Sequence, residues 1–75
     1  MEPLDAFAAS VRRLRHEREL TQERLAELSD LHLTDIARIE TRRRDPSVKV
    51  VAKIAHGLKV PASALLEGVE YQPKG

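Results

Sequence analysis

The strongest structural signal in the chain is the segment Leu20–Pro46, LTQERLAELSDLHLTDIARIETRRRDP. It is typical of a short helix, a tight turn and a second short helix, followed at once by a run of arginines. Ala26 is small enough to let two such helices approach closely. Four apolar residues fall where helices that cross at a steep angle would bury them: Leu25, Leu31, Ile36 and Ile39. The opposite face of the second helix is left to enter a groove, so the segment predicts DNA binding.

Length and composition predict one small, all-helical domain. The chain has 75 residues, and its aromatic residues are Phe7 and Tyr71, which leaves the core to Leu, Ile, Val and Ala. Because it has no cysteine, a disulfide framework and a thiolate metal site are excluded. Its apolar runs are too short for a membrane span, and its N-terminus lacks the basic start and apolar stretch of a signal peptide. We therefore expect a cytoplasmic protein.

The charges are distributed unevenly, although the formal net charge is only +1. Two acidic residues, Glu40 and Asp45, lie among seven basic ones between Arg38 and Lys59. A folded molecule with this distribution would present one basic face and one acidic face. A helical surface covered by salt bridges is the alternative, and charge alone does not separate the two.

Hydrophobic periodicity predicts five helices and no sheet. The first three are expected at about residues 5–18, 22–28 and 32–41, with Thr21 as an N-cap and Asp30 in a left-handed turn. Ser47 is expected to cap a fourth helix with a buried stripe from Val48 to Leu58, and a short fifth helix runs from Pro61 to a close at Gly68. Residues 1–68 would form the domain and residues 69–75 a flexible tail.

From about Val11 to Leu66 the sequence resembles the phage-repressor and Cro-like helix-turn-helix family, also called the xenobiotic-response-element type. The resemblance implies a compact five-helix, lambda-repressor-like DNA-binding domain. Family members usually carry Gly where this chain has Asp30 and Arg42, and each loss of Gly costs backbone freedom. The most specific marks are Leu20-Thr21-Gln22, Ile36-x-x-Ile39-Glu40, Pro46-Ser47, and the close from Ile54-Ala55 to Leu65-Leu66.

The candidate DNA contacts lie at helix starts and on the outer face of the second helix of the motif. Gln22 begins a helix, where its amide and the free N–H groups can meet a phosphate, and similar proteins use the glutamine in that way. Leu33, Thr34 and Arg38 point away from the predicted core. Arg38 could pair with guanine, while the other two could touch thymine methyl groups.

The remaining candidates allow more than one interpretation. Asp35 could accept a hydrogen bond from cytosine, but a structural charge at the helix start is favoured. His32 could donate to a phosphate or simply end the turn. The arginines after the helix stand where the DNA backbone should pass, and we expect two of the three to bind phosphate: Arg42, Arg43 and Arg44.

Two further pairs of residues carry structural expectations. Arg15 and Glu40 should form a partly buried ion pair, as similar proteins pair an arginine and a glutamate at these places.

Leu65 and Leu66 should build a homodimer interface, with one leucine packed inward and the other across the interface. A dimer is expected because one short helix reads too few base pairs, and two such helices must reach grooves about 34 Å apart.

These observations predict a sequence-specific DNA-binding transcriptional regulator that acts as a homodimer on a symmetric operator. At this length the chain resembles the controller proteins of restriction-modification systems. One alternative is an antitoxin that binds a toxin protein and autoregulates its operon, although the tail after Gly68 is short for a toxin-binding extension. Another is a protein-interaction adaptor, which the arginines disfavour. His16, His32 and His56 are scattered and no catalytic or glycine-rich motif exists, so no enzyme, cofactor, metal or small-molecule ligand is expected.

Overall fold

The computed structural model describes residues 2–74, and that part of the chain forms five α-helices and no strand. They are α1 (Pro3–Glu17), α2 (Gln22–Leu28), α3 (Leu33–Glu40), α4 (Val48–Leu58) and α5 (Ala62–Leu65). None of them is long and apolar enough to cross a membrane. The expected all-α, lambda-repressor-like fold is confirmed. Met1 and Gly75, the outer ends of the predicted domain and tail, lie outside the described residues.

The helix starts follow the local chemistry of the sequence. Thr21 Oγ1 accepts a hydrogen bond from the backbone N–H of Arg24 at 3.0 Å, and Ser47 Oγ accepts one from Val50 at 3.1 Å, so both predicted N-caps are confirmed. Helix α1 begins at Pro3, two residues earlier than expected, because proline suits the first turn, where no N–H is needed.

Several helices end in residues with left-handed backbone conformations. Asp30 has φ 54° in the turn between α2 and α3, as predicted, and Arg42 has φ 62° just after α3. At both positions the resemblance led us to expect a glycine, which adopts this conformation without strain. Lys59, at the end of α4, has φ 58°. Helix α5 ends at Leu65 and not at Gly68, which has φ 80° in the turn that follows.

All five helices contribute side chains to the core, and α2 packs against α3 and α4. Leu25, Ile36 and Ile39 are fully buried as predicted, whereas Leu31 is half-buried. The expected burial of Val48 is wrong: it is 87% exposed, because the first turn of α4 borders an open groove and not another helix.

Helices α2 and α4 approach each other closely at Gly57, a contact that the sequence did not predict. A Cβ atom on Gly57 would lie 2.2 Å from Ser29 Oγ and 3.2 Å from Leu25 Cδ1. Ser29 is itself buried, and its Oγ has no hydrogen-bond partner among the described residues. The end of α2 is therefore positioned by steric contact with α4.

Candidate nucleic-acid interface

The outer face of α3 is open to solvent. Leu33 is 47% exposed, and Thr34 and Arg38 are exposed with it, while Ile36 and Ile39 are fully buried on the opposite side of the same helix. Within residues 2–74, Arg38 makes no ion pair. The helix thus presents one apolar, one hydroxyl and one guanidinium group, which together can contact thymine methyl groups and guanine acceptors.

Asp35 uses both carboxylate oxygens within the protein. Its Oδ2 accepts a hydrogen bond from the backbone N–H of His32 at 2.9 Å, and its Oδ1 accepts one from Arg44 Nη1. The hydrogen bond from His32, supported by the Arg44 charge, lowers the pKa of Asp35 and outweighs the opposing effect of burial. This geometry matches the structural role favoured for Asp35 at the start of α3. The side chain of His32 is exposed beside it.

The three arginines after α3 have different surroundings. Arg42 Nε lies 3.2 Å from Asp5 Oδ1 in a largely exposed pair, and Arg44 is held by Asp35. Arg43 is exposed and forms no ion pair within the described residues. The sequence does not distinguish the three arginines, because the positions of Asp5 and Asp35 relative to them depend on the packing of the helices.

A buried ion pair joins α1 to the end of α3. Arg15 Nε lies 2.7 Å from Glu40 Oε2, and Arg15 Nη2 donates to Glu40 Oε1 at 2.9 Å. The third nitrogen, Nη1, donates to the carbonyl oxygen of Leu20 at 2.9 Å. Arg15 is 9% and Glu40 4% exposed, so the expected pair is present and is more deeply buried than anticipated.

Gln22 belongs to the same network. Its Nε2 donates to Glu40 Oε1 at 3.1 Å, and the residue is half-buried at the start of α2. Burial would raise the pKa of Glu40, but the hydrogen bonds from Arg15 and Gln22 together hold it below its ordinary value of 4.5. Gln22 was predicted to bind a phosphate, whereas this internal contact was not predicted; it uses one of the two N–H donors of the amide.

The two leucines near the end of α5 lie in different environments. Leu65 is fully buried in the core, so it is the leucine of the pair that packs inward, and its prediction as an interface residue is wrong because its side chain is not exposed to a partner. Leu66 is 46% exposed and borders an apolar groove of about 330 Å³. The start of α1 and the first turns of α4, including the exposed Val48, form much of the groove, together with Asp45, Pro46, Ala62 and Val69.

Comparison with known proteins gives consistent matches. Residues 6–67 match the family model of a helix-turn-helix domain. The transcriptional repressor RghR of Bacillus subtilis is 35% identical over 69 residues, which cover 91% of this chain and 51% of that protein. The chain therefore spans about half the length of this curated relative.

Two solved structures match over most of their own length. The restriction-modification controller protein C.AhdI of Aeromonas hydrophila has 32% identity and a TM-score of 0.80, covering 83% of this chain and 94% of the other. The wild-type restriction-modification controller protein C.Esp1396I has 30% identity and a TM-score of 0.83, covering 92% of this chain and 90% of the other.

Proposed function

The chain belongs to the helix-turn-helix domain family of DNA-binding transcription regulators, and we propose that it regulates transcription as a homodimer on a two-fold symmetric operator. The observation that carries this proposal is the outer face of α3, where Leu33, Thr34 and Arg38 are exposed above a fully buried inner face. Such a helix enters the major groove, whose base edges are distinct for every base pair. We expect the protein in the cytoplasm, where its DNA target lies.

Arg38 is the proposed base-reading residue with the largest effect on sequence preference. Its guanidinium can donate two hydrogen bonds to guanine O6 and N7, and a good bidentate contact discriminates between bases by about 1–3 kcal/mol. Arg38→Ala should therefore relax the preference at one position of each half-site.

Binding selection on randomised duplexes, carried out with the wild type and with Arg38→Ala, tests this role. Arg13→Ala is the matched control, because Arg13 is an exposed arginine on α1 that pairs with Glu17. Identical selected motifs for all three proteins would show that bases are read elsewhere.

Gln22 and Arg43 are the proposed phosphate ligands of each half-site. Arg43 is exposed, and Gln22 lies half-buried at the start of α2, where it donates one amide N–H to Glu40. A phosphate contact carries no sequence information, so Arg43→Ala should lower the affinity for operator and unrelated duplexes by the same factor. Equal binding by Arg43→Ala and the wild type would remove this arginine from the interface.

The groove beside Leu66 is the proposed homodimer interface. An isologous dimer places the same patch of each copy against itself, and Leu66 and Val48 are exposed apolar side chains that can enter the partner's groove. Such a patch is a candidate contact because monomers rarely expose contiguous apolar surface without a use.

Sedimentation of Leu66→Ser tests the dimer, since Leu66 is exposed and its replacement should leave the fold intact. Tyr71→Ser is the control, because Tyr71 is also exposed but does not line the groove. A folded Leu66→Ser monomer with lower operator affinity supports the proposal, and a Leu66→Ser dimer as tight as the wild type refutes it.

The proposed subtype is a controller of a restriction-modification operon. It is supported by the two controller structures, which this chain matches across 94% and 90% of their length, whereas the curated repressor is matched across 51%. The test is a footprint of the protein on the DNA upstream of its own gene and upstream of any adjacent methyltransferase or endonuclease gene. Protection of neither region would exclude this subtype while leaving the DNA-binding proposal intact.

A further inference from the structure

An ion pair lies within the surface that we propose to face DNA. Arg44 Nη1 donates to Asp35 Oδ1, and the two side chains are 35% and 22% exposed. The second carboxylate oxygen of Asp35 is occupied by the backbone N–H of His32. The pair is therefore better shielded from solvent than the neighbouring pair of Arg42 with Asp5, whose side chains are 58% and 36% exposed.

The location of this pair alters the balance of charge near the DNA backbone. Affinity from phosphate contacts arises when protein cations replace the counterions condensed on DNA, so it depends on cations that are free to do so. Arg43 has no acidic partner in the described part of the chain. Arg44 has one nine residues before it, the carboxyl of Asp35, whose pKa is lowered by the His32 hydrogen bond.

We propose that Asp35 is an internal counter-ion that withholds Arg44 from DNA phosphates and so limits the electrostatic part of the protein's affinity for DNA. The inference rests on the proposed DNA-binding function. It makes Asp35 a positioning residue of α3 and not a reader of cytosine, since both of its oxygens already accept hydrogen bonds within the protein. It also separates the roles of two adjacent arginines, Arg43 and Arg44.

The capping role of Asp35 can be separated from its charge. Capping of α3 requires only an oxygen that accepts from His32, which the amide of an asparagine supplies. Asp35→Asn therefore removes the negative charge and keeps the acceptor. Arg44→Ala leaves the cap untouched, so it remains informative even if Asp35→Asn lowers the melting temperature.

The experiment measures affinity for one non-operator duplex at several salt concentrations. Each phosphate contact contributes about −0.9 to the slope of log affinity against log salt. The slope changes below are given for each protomer of the bound dimer. Arg43→Ala should make the slope shallower by about this amount and Arg44→Ala should leave it unchanged. Asp35→Asn should make it steeper by about 0.9, and Asp35→Asn combined with Arg44→Ala should return it to the wild-type value.

Three results would overturn the inference. The first is a shallower slope in Arg44→Ala equal to that of Arg43→Ala, because Arg44 would then reach a phosphate despite Asp35. The second is a steeper slope that persists in the double variant, because Asp35 would then act by its own repulsion. The third is an unchanged slope in Asp35→Asn. Absence of any duplex binding by the wild type would overturn the proposed function and this inference with it.

Discussion

The two helices of the motif are joined to the rest of the molecule by contacts of opposite kinds. The end of α3 is attached to α1 by the polar seam, which consists of Arg15, Glu40 and Gln22 and is made of short, charge-assisted hydrogen bonds. The end of α2 rests on α4 at the steric seam, formed by Ser29 and Gly57, where a hydrogen atom is all that fits. Both seams are buried at their centres; the polar seam positions α3 and the steric seam positions the end of α2.

The two seams differ in the substitutions that they tolerate. The polar seam depends on charge, because Glu40 and Arg15 are each buried and each needs the other. The steric seam contains no titratable group, but a methyl group on Gly57 would require Ser29 Oγ to move and would still be tightly packed against Leu25 Cδ1. Charge changes and acid should therefore affect the first, and added volume should affect the second.

The largest effect is expected from Arg15→Met, which leaves the Glu40 carboxylate buried without its partner. Loss of one member of a buried pair costs about 3–5 kcal/mol in the free energy of unfolding, measurable by urea denaturation. Arg13→Met is the matched control on the same helix: its pair with Glu17 has side chains 53% and 55% exposed, so the loss should be below about 1 kcal/mol. Similar losses in the two variants would mean that burial adds nothing to the polar seam.

Gly57→Ala should destabilise the protein by about 1–3 kcal/mol, the usual cost of overpacking. At an exposed helical site the same change would stabilise by roughly 0.5–1 kcal/mol, so the sign itself reports the contact at 2.2 Å from Ser29 Oγ. Ser29→Ala removes that oxygen and should recover part of the loss when it is combined with Gly57→Ala. Full additivity of the two changes would contradict a direct contact.

The polar seam should respond to acid and the steric seam should not. The folded-state pKa of Glu40 lies below 4.5, so its stabilisation is present at neutral pH and is lost as pH falls below 4.5 and through the folded-state pKa. The stability difference between the wild type and Arg15→Met should therefore narrow in this range. The difference between the wild type and Gly57→Ala should stay constant, and parallel pH curves for all three proteins would contradict this assignment.

The smallest effect is expected at Lys59, which belongs to neither seam. Its φ of 58° costs roughly 1–2 kcal/mol for a residue with a Cβ atom, and the extra freedom of glycine in the unfolded chain offsets roughly 0.4–1 kcal/mol. Lys59→Gly should thus raise the free energy of unfolding by about 0.5–1 kcal/mol, as measured by thermal denaturation. Lys59→Ala keeps the strain and should gain nothing, so a gain of the same size in Lys59→Ala would point to the lost charge.

Local features of the molecule were predictable because they depend on residues close together in sequence. Thr21 and Ser47 were recognisable as caps since a cap bonds an N–H three residues later, and both bonds are present. Asp30 was expected in a left-handed turn and has φ 54°. The burial of Ile36 and Ile39 followed from helical spacing, and with it the exposure of the recognition face.

By itself, the sequence determined the helices, their caps and the face of α3 that is left exposed. The pairing of Arg15 with Glu40 was predicted from the family resemblance. The tertiary structure alone decided which arginines form ion pairs with aspartates, that Leu65 is a core residue while Leu66 is exposed, and that Ser29 packs against Gly57. The physical reason is distance along the chain. Spacing and capping act within a few residues, whereas the contact of Ser29 with Gly57 joins positions 28 residues apart (57 − 29) and exists only after α2 and α4 have packed.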